Sequence, residues 1–113
     1  MNARRMNKAI NFIEANPRRW DQAHCWNPED ALTRDWRENA QCFGAWAARL
    51  SFTSGKKYLE HFQAKRCMGK KGYSALTRAE TWLDLTEEQG DYLFEWSRSW
   101  PEIKAFAAAG VPA

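Results

Sequence analysis

Five side chains in this sequence, two histidines and three cysteines, are the imidazole and thiol types that zinc prefers, and the cysteines could also act as nucleophiles. They are His24, Cys25, Cys42, His61 and Cys67. Zinc takes four such ligands, and in small proteins these come in closely spaced pairs such as Cys-x-x-Cys. The chain has no such pair, and His61 and Cys67, six residues apart, do not share one face of a helix. The spacing therefore argues against a zinc finger, and we predict that no metal is bound.

Covalent cysteine chemistry is the other use of these residues. Cys25 follows His24, but neighbours along a chain do not give the side-chain approach that an activated nucleophile needs. A disulfide between Cys25 and Cys42 is geometrically possible, while three thiols are the default in a reducing compartment. Cys42 is expected to be a small core side chain. Because no catalytic motif or Gly-rich phosphate loop occurs, we predict a protein that is not an enzyme and uses no cofactor.

Any site must be held by helices, and one stretch predicts the central one. Residues 41–52 are apolar almost all round as a helix, with Arg49 as their one charge, which is typical of a helix inside a domain. Gly44 and the alanines near it predict close approach by neighbouring helices. A first helix is predicted over residues 1–15, ended by Asn16 before Pro17. Its buried stripe should consist of Met6, Ala9, Ile10 and Ile13.

The rest of the chain also reads as helical. Asn27 and Pro28 are typical of a helix start leading to Trp36, and residues 56–68 form a weaker candidate before a loop at Gly69 to Gly72. Capping boxes are predicted at Thr77 and at Thr86. The helix after Thr86 should turn Tyr92, Leu93, Trp96 and Trp100 inward, and Pro101 should start a last helix through Ala109. We therefore predict one all-α domain over 1–113, an orthogonal bundle of five or six helices around 41–52.

The charges alternate along the chain and define two candidate surfaces. Residues 41–73 carry seven basic side chains and one acidic, whereas residues 74–113 carry three basic and seven acidic. Such separation suits the electrostatic steering of a charged partner. The candidate partner-binding residues are Lys56, Lys57, Tyr58, Lys70 and Lys71 on the basic side, and Glu87, Asp91, Glu95, Trp96 and Trp100 on the acidic side.

Three segments resemble a group of small phage and prophage proteins. Cys42-Phe43-Gly44-Ala45-Trp46-Ala47 is similar to the group's Cys-x-(Ala/Gly)-(Gly/Ala)-Trp-Ala core. Residues 83–94 are similar to its Leu-Gly-Leu-Thr-x-x-Gln-Ala-x-x-Leu-Phe stretch, and residues 15–22 resemble its N-terminal part. The group places Cys-Gly-Thr before its central cysteine, where this chain has Glu38-Asn39-Ala40. The resemblance implies a phage or mobile-element origin and no agreed activity.

By association with other small phage proteins, the resemblance favours an anti-defence function. We expect an anti-CRISPR protein that inhibits a host Cas effector by direct protein–protein binding. The alternative is a small regulatory protein that binds nucleic acid through the basic stretch 49–73, where lysines and arginines alternate with stackable rings. No apolar run of eighteen residues and no signal-peptide core occur, so we expect no membrane association and a location in the host cytoplasm.

Overall fold

The protein is all-α. The computed structural model describes residues 1–22, 42–57 and 74–110, and these ranges contain five α-helices described over their full length, one short 3-10 helix and a helical turn at residues 55–57. The α-helices are α1 (Ala3–Ala15), α2 (Phe43–Leu50), α3 (Ser74–Leu83), α4 (Glu87–Leu93) and α5 (Trp100–Ala109), and the 3-10 helix is Pro17–Arg19. The predicted fold class is confirmed. Within the described ranges, no helix has the length and hydropathy needed to cross a membrane.

Helix α1 begins two residues later than predicted, because Asn2 caps it. The Asn2 side chain accepts a hydrogen bond from the Arg5 backbone N–H at 3.0 Å, satisfying a donor that has no partner within the helix. The predicted stripe is confirmed, since Met6, Ala9, Ile10 and Ile13 are all buried. The helix ends before Asn16-Pro17, as the proline predicts. Its opposite face is left to the solvent.

Helix α2 is the predicted central helix, and it is buried on nearly every side. Every residue of the run Phe43 to Ala48 is buried, and the Cys42 Sγ accepts a hydrogen bond from the Ala45 N–H at 3.4 Å at its start. Gly44 is needed for close packing. A methyl group in its place would lie 2.5 Å from Leu76 Cδ2 and 2.9 Å from Phe94 Cδ1. The predicted close approach of neighbouring helices at Gly44 is therefore confirmed.

The capping box predicted at Thr77 is wrong. Helix α3 begins at Ser74, so Thr77 lies inside the helix and cannot be its N-cap. Only the backbone N–H groups at the very start of a helix lack a partner within it and need a capping side chain. Ala79 and Leu83 form its buried stripe. The helix ends at Leu83, and the next residue, Asp84, adopts a left-handed backbone with φ 55°. The Leu85 N–H donates to the Glu80 carbonyl at 2.9 Å. This is the geometry of a Schellman C-cap, a place that glycine usually occupies.

The capping box at Thr86 is confirmed, and a second one occurs at Ser99. Gln89 and Glu102 accept from the N-cap backbone N–H in the two boxes. The Ser99 backbone N–H, the Ser99 hydroxyl and the Arg98 guanidinium hold the pKa of Glu102 below its ordinary value. The last helix ends, as predicted, at Gly110, which has φ 75°.

The prediction that Trp96 faces inward from α4 is wrong. Helix α4 ends at Leu93, so Trp96 falls in the following turn and is 69% exposed. Leu93 is buried and Tyr92 half-buried, as the prediction required. Trp100 opens α5 and is half-buried, with its ring 5.5 Å from that of Trp20.

One buried amide ties three parts of the chain together. Gln22 is 4% exposed, and its Nε2 donates to the carbonyls of Leu93 at 2.8 Å and Glu95 at 2.9 Å. Its Oε1 accepts from the Phe43 backbone N–H at 3.0 Å and from Trp20 Nε1 at 3.3 Å. The Leu93 carbonyl and the Phe43 N–H are buried and would otherwise lack a partner, whereas the bonds with Glu95 and Trp20 are part-buried. Gln22 thus fixes the start of α2 against the end of α4.

Several predictions lie outside the described residues. These are the helix from Asn27 to Trp36, the continuation of the helix beyond Lys57, and the loop at Gly69 to Gly72. The same holds for His24, Cys25, His61 and Cys67, and so for the disulfide between Cys25 and Cys42.

Candidate functional site

Two charged grooves flank helix α3. With about 100° of rotation per residue, Thr77 and Glu80 share one face of this helix, and Arg78 and Trp82 share another. The buried stripe of Ala79 and Leu83 separates the two faces. The first face borders an acidic groove of about 650 Å³ and the second borders a basic groove of about 830 Å³. Both volumes fall in the range of roughly 300–1,000 Å³ that is typical of ligand sites.

The acidic groove brings together carboxylates from two helices and a turn. Its described lining consists of Leu76, Thr77, Glu80, Glu87, Gly90, Asp91, Phe94 and Glu95. Four of these side chains are acidic, and none of the described lining residues is basic. Leu76 and Phe94 supply an apolar floor, both half-buried against the core. The groove therefore offers negative charge above a hydrophobic surface.

Glu80 lies where the acidic groove is most crowded. Burial raises the pKa of the Glu80 carboxyl above its ordinary value, and the nearby carboxylates of Glu87 and Asp91 raise it further. A Cβ at Gly90 would lie 2.9 Å from Glu80 Oε2, so the glycine leaves room for this side chain. A cation entering the groove would relieve the repulsion among these carboxylates.

Glu95 differs from the other three acids because part of its charge is balanced. Its carboxylate forms a short ion pair with the Arg98 guanidinium and accepts from the Ser97 hydroxyl at 2.7 Å. Arg98 also pairs with Glu102 at 3.0 Å, donates to the Tyr92 carbonyl at 3.0 Å, and lies 3.6 Å from the Tyr92 ring centroid. These contacts fix the turn between α4 and α5.

The structure brings together three of the ten predicted partner-binding residues. Glu87, Asp91 and Glu95 all line the acidic groove. Trp96 follows Glu95 on an exposed turn, whereas Trp100 packs with its ring 6.5 Å from that of Phe43 and does not line the groove.

The predicted basic surface lies mostly outside the described residues. Tyr58, Lys70 and Lys71 are not described, and Lys56 and Lys57 are exposed in a helical turn that follows α2. The Lys57 N–H donates to Ser54 Oγ at 3.2 Å in that turn. Neither lysine lines the basic groove.

The basic groove was missed by the sequence interpretation. Its described lining consists of Asn2, Arg4, Arg5, Asn7, Lys8, Asn11, Leu50, Ser51, Phe52, Thr53 and Trp82. Arg4, Arg5 and Lys8 lie outside the predicted buried stripe of α1, and no binding role was predicted for them. The signal that could have found them is their spacing, since residues four apart on a helix lie on one face. The contribution of Phe52 and Trp82 depends on tertiary packing and has no sequence signal.

Neither groove shows metal-site geometry. Across residues 1–22, 42–57 and 74–110, no three Cys, His, Asp or Glu side chains are placed to hold a metal ion together. The acidic residues therefore spread along the groove instead of converging on one point. This arrangement suits an extended cationic partner with several positive charges.

Comparisons with protein-family models, with curated proteins and with solved structures find no match for this chain.

Proposed function

We propose that this protein is a binding protein whose acidic groove accepts a basic segment of a protein partner. The observation that supports it is the run of four carboxylates along a groove with an apolar floor. Lysine and arginine side chains fit such a groove well, because their charged ends pair with carboxylates while their methylene stems cover apolar surface.

Inhibition follows from the kind of surface that the groove would cover. A basic segment on a nucleic-acid-binding protein is the part that contacts phosphates. An acidic protein surface that occupies this segment excludes the nucleic acid, and complementary charge speeds the association. The sequence resemblance to phage proteins makes a host Cas effector the first partner to test, as an anti-CRISPR function requires.

Exposed Trp96 adds an apolar anchor beside the acidic groove. Large aromatic side chains supply much of the affinity at protein interfaces when a partner covers them. Because Trp96 is 69% exposed and its neighbour Glu95 lines the groove, Trp96 is positioned to be covered by the same partner. Charge would then set the rate of association, and the tryptophan would slow dissociation.

The test compares two charge reversals on the same helix. Asp91→Lys changes a groove residue, and Glu88→Lys changes an exposed residue of α4 that does not line the groove. Each tagged variant is used to capture proteins from a CRISPR-bearing bacterial lysate treated with nuclease. Any captured effector is then purified and assayed for target cleavage with each variant present.

We expect the wild type and Glu88→Lys to retain a Cas protein and inhibit its cleavage, and Asp91→Lys to lose both properties. Equal retention by all three proteins would contradict the groove assignment. If every partner disappears after nuclease treatment, the inhibitor function is wrong, and the alternative of nucleic-acid binding through residues 49–73 takes its place.

A further inference from the structure

We infer that the basic groove binds single-stranded nucleic acid. The groove is formed by the outer face of α1, the chain that follows α2, and Trp82 of α3. This site is independent of the acidic groove. It shares residues 50–53 with the stretch 49–73 that the sequence indicated, but its cations come from α1. Three observations carry the inference: the charge of the groove, the aromatic rings in its wall, and the amides along its length.

The charge of the groove is positive throughout. Arg4, Arg5 and Lys8 lie within the first two turns of α1, and none of the described lining residues is acidic. Since these cations lie at the N-terminal end of a thirteen-residue helix, the helix dipole adds to their field. Phosphate groups are the anions that such a row of cations binds best.

The groove also presents aromatic rings next to the cations. The Arg5 guanidinium lies 5.7 Å and the Lys8 ammonium 5.9 Å from the Trp82 ring centroid. Arg5 Nη1 donates to the Trp82 carbonyl at 2.9 Å, which holds that side chain against the wall. Phe52 supplies a second ring to the lining, and the guanidinium of Arg78, which does not itself line the groove, lies 4.3 Å from the centroid of that ring. Rings alternating with cations are the arrangement on which single-stranded bases stack while their phosphates are neutralised.

Amide side chains complete the lining. Asn7 and Asn11 lie one turn apart on α1, both exposed and both lining the groove. Their donors and acceptors can pair with the edges of unstacked bases. An acidic peptide also offers backbone donors and acceptors, but it does not present a flat ring at every unit for stacking on Phe52 and Trp82. The rings and amides together therefore favour nucleic acid over an acidic protein segment as the occupant.

The experiment uses the full chain and a short fluorescein-labelled oligo-deoxythymidine, with binding followed by fluorescence anisotropy at low salt. The test variant is Arg4→Glu/Lys8→Glu. The matched control is Arg18→Glu/Lys57→Glu, which changes the net charge equally at two exposed positions outside the groove. Circular dichroism establishes that both variants are folded, and Arg4→Ala/Lys8→Ala serves as a milder test if the charge reversal lowers the melting temperature.

We expect the test variant to lose on the order of tenfold or more in affinity, and the control to lose much less. The logarithm of the wild-type binding constant should fall with the logarithm of salt concentration with a slope of about −2, because each neutralised phosphate contributes about −0.7 for a single strand. Reversing two of the three cations should remove most of that slope.

Three results would overturn the inference. The wild type does not bind the oligonucleotide at low salt; the control loses affinity as much as the test variant; or poly-glutamate at equal charge concentration competes as well as unlabelled oligonucleotide. The second result would move the site to the stretch around Lys57, and the third would show that the groove recognises negative charge alone.

Discussion

The acidic and basic grooves differ in how the fold holds their charges. In the basic groove, Arg5 and Lys8 come from one helix and share the ring of Trp82, so each cation has a favourable neighbour. In the acidic groove, Glu80 faces Glu87 and Asp91 from the next helix, and all three repel one another. The fold tolerates the first arrangement at little cost, whereas the second opposes folding. A repulsive cluster is better explained by a partner than by stability.

Of the substitutions considered, Gln22→Ala should affect the two grooves most differently. In Gln22→Ala, the carbonyls of Leu93 and Glu95 and the Phe43 N–H lose their buried partner, so we expect a loss of about 3 kcal/mol in the free energy of unfolding. Phe94 and Glu95, which line the acidic groove just after α4, should become less ordered, while α1 and its basic side chains keep their positions. Urea denaturation measures the loss.

The control for Gln22 is Gln89→Ala, which removes another amide. Gln89 accepts from the Thr86 N–H at the protein surface and donates to the Gly110 carbonyl at 3.1 Å. Because water can replace these partners, we expect a loss below about 1 kcal/mol. Equal losses for the two variants would show that Gln22 is no special link between helices.

Two glycine substitutions distinguish the floor of the acidic groove from its rim. Gly44→Ala pushes a methyl group into Leu76 and Phe94, so we expect a loss of about 2 kcal/mol and a distorted groove floor. Gly90→Ala meets only the mobile end of Glu80 and gains helix propensity, so stability should rise by up to about 1 kcal/mol. Thermal unfolding of the pair measures both effects, and a more stable Gly44→Ala would contradict the close packing described above.

Replacing Arg98 should make the acidic groove more negative and leave the basic groove unchanged. Arg98→Met removes the cation that pairs with Glu95 and Glu102, and we expect a loss of about 1 kcal/mol in the free energy of unfolding. The acidic groove becomes more negative at the same time. A labelled oligoarginine peptide should therefore bind the variant more tightly than the wild type, with the oligonucleotide affinity unchanged. Weaker peptide binding would mean that Arg98 orders the groove more than it neutralises it.

The smallest expected effect concerns the repulsion at Glu80. Because its pKa is raised in the folded state, folding is favoured as the pH falls through that pKa towards the ordinary carboxyl range. This gain should be absent in Glu80→Gln, and the variant should be more stable than the wild type at neutral pH by about 0.5 kcal/mol. Melting temperatures from mildly acidic to neutral pH test this, and parallel curves for the two proteins would refute it.

Local patterns predicted the helices well, and tertiary contacts explain what they missed. The stripe of α1, the apolar run of α2 and the box at Thr86 each depend on neighbours within one or two turns, so their residues carry the signal. The box at Thr77 has the same local pattern, but α3 begins at Ser74, and Leu76, before Thr77, already packs against Gly44 of α2. Trp96 was predicted to face inward because nothing in the sequence marks the end of α4 at Leu93.

The candidate sites show the same division. Glu87 and Asp91 are four apart on one helix, so sequence spacing found them together, whereas Glu80 joins them only because α3 and α4 pack side by side. Likewise, Arg4 and Lys8 share a helix face, but Trp82 lies more than seventy residues away along the chain. Grooves between helices combine residues that no local pattern connects.

The hydrogen bond between Gln22 and Phe43 also has a topological meaning. It holds two residues side by side, at 3.0 Å, that lie 21 positions apart along the chain. Bringing such distant positions together costs closure entropy, and that cost grows by only about 0.6 kcal/mol for each doubling of the loop. The bond therefore stabilises a contact that the chain can form only by folding back on itself.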